Sequence, residues 1–320
     1  MIFNRAYLEK PRQFSIQKAE ANPGDNQVLI KVASCGLCNW EQNHWKGIIV
    51  AGSGYPFPLG HEYAGTVVEV GKNVTKFKVG DKVSALGDLG GFAEYIACDE
   101  SRTVKLSDDI DPKYVLGEPL KCIVTVLEAA APQAGDYGIV LGCGPMGQWC
   151  IQGLSGNLLA GLIAIDVDDA KLEMAKRFGA TATINPKKED ALSRIAELTE
   201  GHMADFVIEG TGVPALLNQA QDYLRTTRGR LILMSAHETI TKEFDFRKAI
   251  AKGCDILAPH PSRCLDEMDH FRRAIALVNN GTFHVKELVS HEFKLSEIQT
   301  AFENLENKPA GYVKGIVCPD

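Results

Sequence analysis

The chain reads as an α/β protein in two parts, a compact antiparallel β-barrel followed by a doubly wound parallel sheet. Three observations predict this. Its 320 residues exceed the roughly 100 to 200 of one ordinary domain. Up to about residue 120, short β-type segments are punctuated by glycines at turn-like intervals. From about Leu120 the texture changes to strand-like and helix-like segments in alternation, the pattern of parallel strands joined by crossover helices.

The strand-like segments of the first part are QVLIKVAS, AGTVVEV, KVGDKVSALG and GFAEYIA, with glycines at 60, 65, 71, 80, 87, 90 and 91 between or within them. In the second part YGIVLG reads as a buried strand and PMGQWCIQGLSG as the helix after it. LIAIDV is the next strand, KLEMAKRFGA a helix, and DFVIEGTG and RLILMS are further strands. The tail HEFKLSEIQTAFENLENKPAGYVKGIVCPD carries an amphipathic helix and a last short strand, which we expect to return to the first part. The expected division is 1–121 for the barrel, 122–283 for the parallel sheet and 284–320 for the return.

Composition excludes several classes. With 45% hydrophobic and 23% charged residues the chain can bury an ordinary core. A net charge of -7 without long runs of one sign argues against nucleic-acid and anionic-membrane surfaces. The first twenty residues contain no apolar leader segment, and no stretch approaches the roughly 18 apolar residues of a membrane span. Nine cysteines without the regular spacing of a disulfide scaffold fit reduced thiols, so the expected location is the cytoplasm.

Gly142-Cys143-Gly144-Pro145-Met146-Gly147 matches G-x-G-x-x-G, directly after a strand and at the start of a helix. In such a turn the first glycine allows the tight bend and the second lets the backbone approach a pyrophosphate. The third permits close helix–strand packing, and the helix N-terminus contributes positive partial charge. The hexapeptide alone is weak evidence in a chain with thirty glycines. Context strengthens it: Asp166 ends the next strand, 19 residues after Gly147, where a carboxylate accepts ribose hydroxyls. A carboxylate there repels a 2′-phosphate, and Val167-Asp168-Asp169 offers no arginine to offset it, so NAD is favoured over NADP. Thr211 and Gly212 follow the DFVI strand and are placed to border the cofactor, although a plain turn explains them equally well.

Cys38, His61, Glu62 and Glu118 are of the types that bind zinc, which takes thiolate, imidazole and carboxylate ligands and keeps one position open in catalytic sites. A single cysteine is more often a small buried hydrophobe, and a single His-Glu pair is more often surface. The surrounding motifs decide the matter. Gly60-His61-Glu62-Tyr63-Ala64-Gly65, with Val67, Val70-Gly71 and Val74, resembles the G-H-E-x-x-G signature of the zinc-dependent medium-chain dehydrogenase/reductase family. Ser34-Cys35-Gly36-Leu37-Cys38 is similar to the segment carrying that family's first zinc ligand, with FKVGDKV and GGFAEYI matching the strands that follow. Glu118-Pro119-Leu120 resembles the E-P-L of its polyol dehydrogenases. The resemblance covers nearly the whole chain.

The resemblance implies a GroES-like β-barrel beside a Rossmann domain, and hydride transfer between NAD and a secondary alcohol or its ketone. A polyol, sugar or cyclitol is the expected substrate. Cys38 and His61 would bind one catalytic zinc per chain, with Glu62 or Glu118 completing the protein ligands, and relatives form homo-dimers or homo-tetramers. Two departures stand out. The family's four-cysteine structural-zinc lobe is missing, since only SALGDLGG joins Val83 to Phe92. Trp40 occupies the position where many relatives carry a proton-relaying Ser or Thr, which leaves His44 or one of the carboxylates to take the proton. Lys121 and His260 are further polar residues that could border the pocket, although each is more often simply exposed. Two other classes compete: a metal-free quinone or enone reductase of the same superfamily, and a non-catalytic binding protein on the same fold. Cys38, His61 and Asp166 speak against the first, and the complete ligand set against the second.

Overall fold

The computed structural model describes residues 1–50, 54–87, 89–156, 158–235 and 244–320. Asp88, within the SALGDLGG link, lies outside the described residues. The chain forms two compact units, residues 1–121 with 268–320 and residues 122–267.

The first unit is built on the strand Gln27–Gly36. Its burial on both faces (Val28, Leu29, Ile30 and Val32) suits a central strand. It pairs antiparallel with Tyr63–Val70, with Tyr95–Asp99 and, at its end, with Lys314–Cys318. Lys82–Ala85 and Thr103–Lys105 extend the sheet on one side, and Val289–Lys294 runs parallel to Lys314–Cys318 on the other. A smaller sheet comprises Gln13–Glu20, Ile2–Lys10 and Phe57–Pro58. Phe302, on the helix Ile298–Asn307, packs against Phe14, Trp45 and Phe92. The tail is therefore part of this core, as its amphipathic pattern and final strand predict.

The register brings together segments far apart in sequence. Cys35 faces Tyr63, the Gly36 N–H donates to the Glu62 carbonyl at 2.8 Å, and the Leu37 N–H donates to the Gly315 carbonyl at 3.0 Å. The residues just past Gly36 thus meet both the His61-Glu62 segment and the last strand.

The return to the first unit begins at Met268, earlier than the expected residue 284. The helix Glu267–Asn279 presents Phe271 and Ile275 to Gly117, where a Cβ would come within 2.6 and 2.9 Å of their side chains. Asn279 also accepts from the Ser107 N–H at 3.0 Å. The alternation of strands and helices runs on without a break through this helix, so sequence texture alone carried the boundary too far.

Among the described residues the second unit holds six parallel strands in the order Ala182–Ile184, Gly161–Ile165, Tyr137–Leu141, Phe206–Glu209, Arg230–Leu233, Asp255–Leu257. The apolar runs predicted as strands are its core: Ile139, Leu141, Ile163, Ile165, Val207 and Leu231 are buried. The first strand in sequence, Tyr137–Leu141, lies between the second and the fourth. The winding reverses there, and in doubly wound sheets ligands bind at the carboxyl ends of the strands flanking such a reversal.

Candidate metal centre and nucleotide loop

Cys38 is the N-cap of helix α1 (Asn39–Lys46), which places its sulfur at the positive end of the helix. Cys38, His61 and Glu62 each offer a ligand atom, and these atoms all lie within 4.8 Å of one another. Ligands in a zinc tetrahedron sit about 3.3 to 3.8 Å apart, given bonds of roughly 2.0 to 2.3 Å. Among the described residues this is the one such group of three. Glu118, in the first turn of helix α2 (Gly117–Ala130), is not one of the three, but its Oε2 lies 3.6 Å from His61 Nε2.

Neighbours set the orientation and charge of these groups. Glu41 is fully buried and accepts from the Gly60 N–H at 2.7 Å, while its Oε1 lies 2.9 Å from His61 Nδ1. A carboxylate only accepts, so Nδ1 carries a proton, and it is Nε2 that would give up its proton to hold a metal. Burial alone would lower the His61 pKa, but Glu41 and Cys38 outweigh it and raise it well above the usual value. Burial raises the Cys38 thiol, and the charge of Glu62 adds to this. Lys314 Nζ lies 2.7 Å from Glu62 Oε2 and donates to the Leu37 carbonyl at 2.8 Å. Burial opposes its charge, yet Glu62 and Cys38 together raise its pKa and keep it an ammonium. Lys121, almost fully buried, lies 3.1 Å from Glu118 Oε1. Gly36 makes room for the Glu62 carboxylate, since a Cβ there would stand 2.0 Å from Oε2.

Metal binding here would displace protons. With Cys38 a thiolate and His61 neutral, Cys38 and the three glutamates carry four negative charges against two positive ones on the lysines, and a divalent ion would offset the difference. Without an ion, a Cys38 thiol and a protonated His61, the directions in which both are shifted, balance the same cluster.

The other predicted groups divide. Trp40 lies beside the centre, its ring 5.4 Å from His61 and 4.3 Å from His44. His44 is buried and also packs against Phe57, and that burial lowers its pKa. His260, in the second unit, accepts from the Ser262 N–H at 3.2 Å within its own turn. Glu41 and Lys314 were not picked out from sequence. A signal existed for Glu41, which follows Cys38 by three positions, one helical turn. Nothing marked Lys314, which meets Leu37 across 277 residues.

In the second unit, Gly142 ends the strand Tyr137–Leu141 with φ +95°, a conformation that disfavours any side chain. A Cβ on Gly147 would stand 2.0 Å from the Gly142 carbonyl oxygen, so this helix–strand approach also needs glycine. Gly144 caps helix α3 (Pro145–Leu154) without a side-chain bond, and a Cβ there would meet nothing within 4 Å. Pro145 and Met146 form the first turn, where Pro costs nothing because that N–H has no helical partner. The Asp166 carboxylate accepts from the Cys143 N–H at 2.8 Å and from the Asp168 N–H at 3.0 Å, tying the acidic residue to the glycine loop. Glu209, fully buried, accepts from the N–H groups of Thr211 and Gly212 at 2.7 and 3.2 Å. Gly142 packs against Thr211, so both turns meet at the sheet's winding reversal.

Residues 24–108 match the alcohol dehydrogenase GroES-like domain and residues 145–280 the zinc-binding dehydrogenase domain. The chain is 30% identical to an L-threonine 3-dehydrogenase of Caldanaerobacter subterraneus subsp. tengcongensis, covering 93% of each chain. It is 28% identical to D-arabinitol dehydrogenase 1 of Uromyces fabae, over 94% of this chain and 93% of that one. Its fold is similar to 2R,3R-butanediol dehydrogenase of Bacillus subtilis, with a TM-score of 0.87, 26% identity and coverage of 99% and 100%. Alcohol and polyol oxidoreduction with a nicotinamide cofactor is the activity these relationships support. The chain belongs to the zinc-type medium-chain dehydrogenase/reductase family.

Proposed function

We propose that this protein is a zinc- and NAD-dependent dehydrogenase that oxidises a secondary alcohol of the polyol, sugar or cyclitol class, or reduces the matching ketone. The observation that carries the reading is the cluster of Cys38, His61 and Glu62, with Glu41 orienting His61 and Lys314 paired to Glu62. Relatives named for D-arabinitol and 2R,3R-butanediol support an alcohol substrate. Zinc held by Cys38, His61 and Glu62 would supply Lewis acidity to the substrate oxygen, and NAD bound at Gly142–Gly147 would accept the hydride.

The chain's own residues do the rest. Glu41 holds the His61 ring, and Lys314 pairs with the buried Glu62 carboxylate. Glu118 is the acceptor we assign to the hydroxyl proton. Its carboxylate lies beside His61 Nε2 and is less buried than that of Glu62. Trp40 cannot relay a proton, since an indole N–H donates only. His44, enclosed by Trp40 and Phe57, is a poorer candidate than Glu118.

Purified protein never exposed to chelators should contain close to one zinc per chain. Elemental analysis checks this, and a reproducible ratio near two would mean a second site. Among the described residues no helix is long and apolar enough to cross a membrane, and we place the protein in the cytoplasm as a dimer or tetramer.

NAD should be preferred over NADP by a wide margin, because the Asp166 carboxylate repels a 2′-phosphate. Asp166→Ser should narrow the ratio of kcat/KM for the two cofactors by tenfold or more. Steady-state kinetics with both cofactors measures this, and wild-type enzyme that used them equally would remove Asp166 from its role. Screening a panel of secondary alcohols with NAD at alkaline pH tests the activity itself.

A further inference from the structure

The chain has three tryptophans, and two of them are core residues: Trp45 is 1% exposed and Trp149 fully buried. Trp40 is 44% exposed, although it is the tryptophan beside the metal cluster. Its position follows from α1. As the second residue of the helix it stands next to the Cys38 cap, and one turn later His44 supports its ring from inside. His61 meets the indole at an interplanar angle of 82° and His44 at 69°, so both make edge-type contacts. Behind His44 lies Phe57, and beyond that Tyr55, which continues the aromatic row. Past the helix, Ile48, Ile49 and Val50 are exposed, with the N–H groups of Ile48 and Ile49 bonded to the Asn43 carbonyl.

A large aromatic side chain braced on one side and open on the other, next to a polar cluster, suits a ligand that is polar at one edge and apolar across a face. Open-chain polyols expose hydroxyls all round and have no such face. In a pyranose or cyclitol ring equatorial hydroxyls project from the rim, and the axial C–H groups are left covering the ring faces. Such a ring can place a rim hydroxyl toward Cys38, His61 and Glu62 while its C–H face lies on the indole.

Resting on the proposed dehydrogenase reading, we infer that Trp40 is a specificity-determining platform that selects ring-shaped polyhydroxy alcohols over their open-chain counterparts. The test compares wild type, Trp40→Phe and Trp40→Ala, all zinc-loaded and supplied with NAD. The ring substrates are myo-inositol, scyllo-inositol and methyl α-D-glucopyranoside, and the open-chain ones are D-sorbitol, galactitol and D-arabinitol.

For Trp40→Ala the ratio of kcat/KM for ring over open-chain substrates should fall tenfold or more, carried by KM, with Trp40→Phe in between. Tryptophan emission supplies a readout independent of turnover. A ring compound should shift it saturably in wild type, and the shift should vanish in Trp40→Phe, where Trp45 and Trp149 remain. An equal loss for both substrate sets, or no loss, would overturn the platform. So would oxidation of the open-chain set by wild type with no ring compound bound or turned over, which leaves the dehydrogenase reading standing. Failure of every alcohol in zinc-loaded protein would reject that reading and this inference with it.

Discussion

Cys38→Ser should leave the protein folded, nearly free of zinc and nearly inactive. The thiolate is the softest donor in the cluster, and a serine hydroxyl neither ionises near neutral pH nor binds zinc comparably. The loss is not made good by neighbours, because Glu62 is already one of the ligands and Lys121 holds Glu118. Losing several kcal/mol of charge stabilisation at the reacting oxygen would lower turnover by about a thousandfold or more, at roughly 1.4 kcal/mol per decade. The residue caps α1 without a side-chain hydrogen bond, so the helix itself should survive the change. Elemental analysis, far-ultraviolet circular dichroism and turnover measure the three parts of this result. A variant that kept full zinc and activity would remove Cys38 from the centre.

Lys314→Met should have the largest effect on stability. The variant keeps the length and apolar stem of the side chain but strips the ammonium from Glu62, whose side chain is 1% exposed, and from the Leu37 carbonyl. Removing one partner of a buried ion pair costs about 3–5 kcal/mol, because the other charge stays desolvated and unpaired. Denaturant unfolding in the presence of a chelator measures this without the added stability of bound metal. Adding Glu62→Gln to Lys314→Met should recover much of the loss, since no uncompensated charge then remains. If the single variant unfolded like wild type, Glu62 would not depend on Lys314. If the double variant were worse than the single, packing and not charge would be the cause.

The contrast between these two residues marks how much the sequence carried. Cys38 stands in a short segment of recognisable chemistry, and His61 and Glu62 are adjacent in theirs. Gly142 to Gly147 likewise declares a turn whose geometry only glycines permit. Such sites are legible because their residues are neighbours along the chain and their types are set by local backbone and ligand chemistry. The two-part organisation was legible for a related reason: the spacing of apolar residues changes near Leu120, and each period belongs to one kind of element.

What only the tertiary structure decided is how distant segments meet. The register of Gln27–Gly36 against Tyr63–Val70 brings Cys38 to His61, and the pairing with Lys314–Cys318 delivers Lys314 to the same place. Long-range pairing leaves no periodic trace, so a buried lysine near the end of the chain looks like any other. The helix Glu267–Asn279 shows the same limit, for its amphipathic pattern says that one face is buried but not against which partner. Phe271 and Ile275 meeting Gly117 decided that, and moved the domain boundary with it. Trp40 falls between the two cases. Its place in the motif was evident from sequence, but whether its indole entered the core or stood open beside His61 depended on what surrounds α1.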